Sequence, residues 1–149
     1  MNKYIKEALF RLDDFCKANK IEYVVTGTVA LDMLGVPSNP NDIDIKVFHL
    51  KEEQEAKLND LEFLSGLKNE DYESNCYTFV VSEVKVNVLI DDIEKSSQKV
   101  TLDILDEVEV EHRLIGVQPV FFALKDKMNL KRYKDKEYML NLITNLASL

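Results

Sequence analysis

The sequence predicts an α/β (α+β) domain in which a small mixed β-sheet is flanked by helices. Three observations carry that prediction. An amphipathic helical pattern opens the chain, short β-branched runs then alternate with helical stretches, and helical periodicity returns from Pro119 to the end. With 149 residues the chain is long enough to bury a real core and short for two, so residues 1–149 read as a single domain.

Residues 3 to 19 place Ile5, Leu9, Leu12 and Cys16 at helical spacing with charged residues between them. Ile21 to Val25 reads as a short buried strand. Gly27 and Thr28 follow, then a turn or two of helix through Val29, Ala30, Met33 and Leu34, stopped by Gly35 and Pro37. After a polar loop, Asp42 to Phe48 alternates, with Ile43, Ile45 and Val47 on one face and Asp42, Asp44 and Lys46 on the other. Residues 51 to 67 carry an imperfect helical stripe of Ala56, Leu58, Leu61 and Leu64, ending at Gly66. Tyr77 to Val81 and Val84 to Ile90 predict an antiparallel hairpin turning at Ser82 and Glu83. Further short strands are expected around 99 to 104 and 107 to 117. From Pro119, Phe121, Phe122, Leu124 and Met128 mark one helix, and Tyr138, Met139, Leu142, Ile143 and Leu146 stripe another.

Composition narrows the function classes. At 46% hydrophobic and 31% charged, with no repeat or low-complexity tract, the chain is an ordinary globule rather than a disordered segment. No apolar run approaches ~20 residues and the N-terminus interleaves charge with its apolar positions, so neither a membrane span nor a signal peptide is expected, and the expected location is the cytoplasm. Cys16 and Cys76 lack metal-ligand spacing and read as buried thiols. A formal net charge of −8 argues against a broad grip on a nucleic-acid backbone. The charge is uneven: eight acidic residues lie between Asp91 and Glu111, whereas Lys125, Lys127, Lys131, Arg132, Lys134 and Lys136 crowd one short stretch. That segment can hold a phosphate locally or simply form a solvated face. His49 and His112 are isolated, and no Ser-His-Asp or Cys-His arrangement points to a covalent intermediate.

The chemistry concentrates in "VVTGTVALDMLGVPSNPNDIDIKVF", residues 24 to 48. Gly27 and Thr28 stand where a strand gives way to a helix, so free helical N–H groups and a bare backbone suit an anion; a tight turn with Thr28 as N-cap is the structural alternative. Asp42 and Asp44 project from one strand face about 6 to 7 Å apart, a spacing from which two carboxylates converge on a hard cation such as magnesium. Solvent-facing acids beside a loop are the alternative. Together the turn and the carboxylates set a phosphate cradle beside a divalent site.

These residues resemble the nucleotidyltransferase-fold (polymerase-β-like) superfamily, closest to its minimal and AbiEii-like members, in which a strand ending in hG[GS], a helix and a loop lead to a strand bearing hDhDh. Thr28 stands where serine is usual. The resemblance implies a nucleotidyltransferase fold with C-terminal helices and a magnesium-dependent transfer of a nucleoside monophosphate from a nucleoside triphosphate to a hydroxyl acceptor. It assigns Gly27 and Thr28 to the phosphates and Asp42 and Asp44 to Mg2+. A third acidic residue normally sits on a later strand, and its counterpart in "VKVNVLI" is Asn87, which offers an oxygen but neither charge nor basicity. Three explanations stand: a catalytically impaired domain that binds nucleotide or protein, substitution by Glu83 or Asp91, or slow activity from the two aspartates alone. The tail "GVQPVFFALKDKMNLKRYKDKEYMLNLI" is similar to the C-terminal helices of AbiEii-like members, which brings Lys127, Arg132 and Lys134 toward the triphosphate or acceptor and leaves Asp135 to cap the last helix. The acceptor, whether small molecule, RNA or protein, is not encoded legibly. The short chain leaves little room for an acceptor domain, so a homodimer or a partner protein is one way to complete the cleft.

Overall fold

The computed structural model describes residues 1–36, 38–48, 50–58, 62–65, 75–91 and 106–119, together with 140 and 144. Helix α1 (Lys3–Ala18) starts where Asn2 accepts a hydrogen bond from the Ile5 N–H at 2.9 Å. Its stripe of Ile5, Ala8, Leu9, Leu12 and Cys16 is buried, as the spacing predicts.

Strand β1 (Tyr23–Thr26) passes directly into helix α2 (Gly27–Met33), and β2 (Ile43–Phe48) returns antiparallel to β1. Helix α3 (Glu52–Leu58) precedes β3 (Glu62–Ser65), β4 (Asn75–Val81), β5 (Val84–Asp91), β6 (Asp106–Val110) and β7 (Arg113–Val117). The seven strands form one mixed sheet in the order β3-β4-β5-β2-β1-β7-β6, with β1 parallel to β7 and β2 parallel to β5. This is the mixed sheet with helices that the sequence predicts. On one face α1 packs over Val25, Ile43, Ile45, Val47, Phe79, Val86, Val88, Ile115 and Val117, all buried.

Four expectations need correction. Helix 51–67 stops at Leu58, and 62–65 is a strand, because Phe63 finds a backbone partner opposite Phe79 and Glu62 one opposite Val80. Sheet pairing outweighs a weak helical stripe. The strand expected over 107–117 is a hairpin, folded back at Glu111 and His112 with φ of 47° and 71°. Ser82 and Glu83 turn the same way at 48° and 66°; both are two-residue turns whose twist suits a hairpin although neither carries glycine. The strand expected at 21 to 25 runs from Tyr23 to Thr26, so α2 begins at once at Gly27, and β2 begins at Ile43 with Asp42 just ahead of it. Finally, the second face of β2 is not simply polar and wet: Lys46 is 7% exposed and its neighbours Val24, Phe48 and Leu89 are buried too. The strand expected at 99 to 104 lies outside the described residues, as do the helices expected beyond Pro119 apart from Leu140 and Thr144, which are helical.

Candidate functional site

Strand alternation turns Thr26, Asp44, Asn87 and Thr78 to the sheet face away from α1, and pairing aligns them. Thr26 stands opposite Asp44, Asp44 opposite Asn87, and Asn87 opposite Thr78, so four strands contribute one polar row. Thr26 and Asn87 are buried in that row, at 4% and 7% exposure, and Asp44 is half-buried.

The row is wired by hydrogen bonds. The Asn87 side-chain N–H donates to Asp44 Oδ1 at 2.9 Å, and the Thr78 hydroxyl donates to Asn87 Oδ1, also at 2.9 Å. A carboxylate can only accept, so the Asn87 amide must present its nitrogen to Asp44 and its oxygen to Thr78. The second oxygen of Asp44 faces Gly27. A Cβ placed on Gly27 would lie 2.5 Å from Asp44 Oδ2, and the glycine has φ +66°, so both the conformation and the close approach require the missing side chain. The glycine turn and the carboxylate therefore lie against each other.

Thr28 is the second residue of α2, half-buried, and its carbonyl accepts from the Ser38 hydroxyl at 3.2 Å, which ties the loop before β2 to the start of the helix. The N-cap position is held by Thr26, without a side-chain cap bond, so Thr28 is not the N-cap. At the loop's end Asp42 stands next to the site with Lys85 Nζ 3.9 Å from its Oδ2; with side chains 37% and 53% exposed, that pair is loose and well screened. Lys85 was not singled out by the sequence reading. Alternation in "VKVNVLI" does put it on the face of Asn87, but only the parallel pairing of β2 with β5 shows that it meets Asp42. Thr78 was not singled out either, although the expected β4–β5 hairpin, turning at Ser82 and Glu83, sets it opposite Asn87.

Asp44, Gly27 and Asn87 are thus brought into contact, with Thr28 and Asp42 adjacent in chain and register. Neither suggested substitute for the third carboxylate is in place. Glu83 sits in the β4–β5 turn rather than on the strand, and Asp91 pairs with Phe48, four residues or about 13 Å along β5 from Asn87. Lys127, Arg132, Lys134 and Asp135 lie outside the described residues. Among the described residues no three His, Cys, Asp or Glu side chains gather into a metal cluster. Asp42 and Asp44 are oxygen donors of the kind that hard divalent cations such as Mg2+ take.

Comparison with solved structures accords with this geometry. A candidate nucleotidyltransferase of Thermotoga maritima aligns with TM-score 0.64 at 20% identity over 92% of this chain and 91% of its own. An antigenic nucleotidyltransferase-like protein of Paracoccidioides brasiliensis gives 0.60 at 13% over 95% and 75%, and ANT(2")-Ia in complex with adenylyl-2"-tobramycin gives 0.55 at 15% over 79% and 71%. No protein-family model matches the sequence, and comparison with curated proteins yields no match. The chain has the nucleotidyltransferase fold.

Proposed function

We propose that the protein transfers a nucleoside monophosphate from a nucleoside triphosphate to a hydroxyl acceptor. The observation that carries this reading is the contact between the Gly27 turn and Asp44 Oδ2, which puts backbone suited to phosphate and a carboxylate suited to a cation side by side. Asp42 and Asp44 would hold Mg2+, whose chemistry there is to neutralise phosphate charge and make the phosphorus under attack more electrophilic. Gly27, by lacking a Cβ, lets the Asp44 carboxylate pack against the start of α2, where backbone N–H groups and the Thr28 hydroxyl would take the polyphosphate. Asn87 orients Asp44 but has no basicity, so deprotonation of the acceptor falls to an aspartate or to water. Lys127 and Arg132 are proposed to hold the triphosphate from the C-terminal segment. ANT(2")-Ia, bound to an adenylylated tobramycin, supports a small hydroxyl compound as one acceptor class to test.

A second reading is favoured by one specific observation. Asn87, hydrogen-bonded to Asp44, brings neither a negative charge nor a base to the site, which suits a domain that binds nucleotide or a partner protein without transfer. Radiolabelled triphosphates offered with hydroxyl acceptors separate the two. Label transfer by the wild type that is lost in Asp44→Asn supports the enzyme. Transfer only by Asn87→Asp supports the impaired module, and nucleotide binding by neither variant nor wild type rejects both.

A further inference from the structure

The residue that anchors the polar row is Thr78, on a strand that carries none of the motif. Its hydroxyl donates to Asn87 Oδ1, and the same amide donates to Asp44 Oδ1, so three side chains from β4, β5 and β2 form one directed chain of hydrogen bonds ending on a carboxylate. We infer that Thr78 is a positioning residue for Asp44, acting through Asn87 to fix which carboxylate oxygen faces Gly27.

The physical argument starts from the asparagine. The terminal torsion of an amide is broad and roughly two-fold, so nothing in Asn87 alone fixes its plane. Asp44 selects the nitrogen end, and Thr78 holds the oxygen end, which is buried with the rest of the side chain at 7% exposure. A buried carbonyl that loses its donor carries a desolvation penalty and turns to find another. Once the amide plane turns, Oδ1 of Asp44 loses the Asn87 donor, which loosens the orientation that sets Oδ2 against Gly27. Partners of this kind orient the ligating group and commonly set metal affinity as strongly as the ligands do. Thr26 stands opposite Asp44 on the other side of the row.

This inference rests on the proposed metal-binding role of Asp44, and its test separates the two. The variants are Thr78→Val, which keeps the shape and removes the donor, Thr78→Ser, which restores it, and Asn87→Ala, each made in the full chain. Two measurements are needed: hydrogen exchange of the Asn87 side-chain amide in the 15N-labelled, metal-free protein, and Mn2+ affinity from the electron paramagnetic resonance of the free ion. The expected result is a slowly exchanging amide in the wild type, fast exchange and about 10-fold weaker Mn2+ binding in Thr78→Val, and recovery of both in Thr78→Ser. In the Asn87→Ala background Thr78→Val should add no further loss, because the relay is already broken. Unchanged exchange and affinity in Thr78→Val overturn the inference, as does a full additional loss in the double variant. Absence of Mn2+ binding by the wild type defeats the metal-binding reading instead, and the amide exchange then decides the relay by itself.

Discussion

At residue scale, the position with least tolerance is Gly27. Alanine there would set its Cβ 2.5 Å from Asp44 Oδ2 while holding a left-handed φ of +66°. The conformational cost alone is about 1–2 kcal/mol, and the clash must be relieved by moving the carboxylate. Gly27→Ala is therefore expected to lower the melting temperature modestly and to lose the stabilisation by magnesium and triphosphate altogether. Thermal denaturation with and without ligand checks it; a ligand response equal to the wild type would show that turn and carboxylate are not one site. Cys16 offers a separate test of packing. Burial, with the nearby Asp13 charge, pushes its thiol up to about 12, so at pH 8 it stays protonated and shielded. In a Cys76→Ser background the native protein should react with a thiol reagent only at the rate of global unfolding, and rapid labelling would contradict the buried assignment.

At element scale, the join between α1, β1 and β7 is held by a charged residue that helical spacing assigned to the polar side. Asp13 is 1% exposed, accepts from Tyr23 Oη at 2.5 Å and from Lys17 at 2.7 Å, and pairs with Arg113 at 3.2 Å; Arg113 also reaches Asp14 at 2.7 Å and lies over the Phe10 ring. Burial pushes the Asp13 carboxyl upward, but the hydrogen bonds from Lys17 and Tyr23, the Lys17 charge and the Arg113 bond outweigh it and hold the group below 3.8. A folded value below the unfolded one contributes stability that is fully present above the unfolded value and lost as pH falls through the folded one. The acid limb of unfolding below pH 3.8 should accordingly flatten in Asp13→Asn, with a loss near pH 7 of about 2 kcal/mol from the weakened bond to Tyr23. Denaturant titrations across that range test it, and an unchanged acid limb would remove Asp13 as its source. The elements themselves were largely legible. Apolar spacing located α1, and β-branched runs located β1, β2 and the β4–β5 hairpin. What misled was local resemblance: 62–65 looks like the end of a helix until β4 pairs with it, and 107–117 looks like one strand because Glu111-His112 lacks the glycine that usually announces such a turn.

At the scale of the whole molecule, the site's motif residues were readable because Gly27, Asp42 and Asp44 fall within one local strand-helix-strand unit. Its wiring was not, since Thr78, Lys85 and Asn87 reach Asp44 and Asp42 only through the parallel β2–β5 pairing, which no local pattern encodes. Charge then makes the last prediction. In the proposed site two aspartates face the ligand, so with a net charge of −8 the chain should repel a bare polyphosphate, and the loose Lys85–Asp42 pair does too little to reverse this. Nucleotide and cation should consequently bind as a unit. At a ligand concentration of about 100 times Kd the native state gains about 2.7 kcal/mol, which for a domain of this size raises the melting temperature by about 5–10 °C. That rise is expected with ATP or another triphosphate plus Mg2+, and should vanish when EDTA replaces the cation or when Asp44 becomes asparagine. A rise of equal size in EDTA would mean that the nucleotide is held by cationic side chains alone, and the aspartates would lose their assigned role as the bridge between protein charge and phosphate charge.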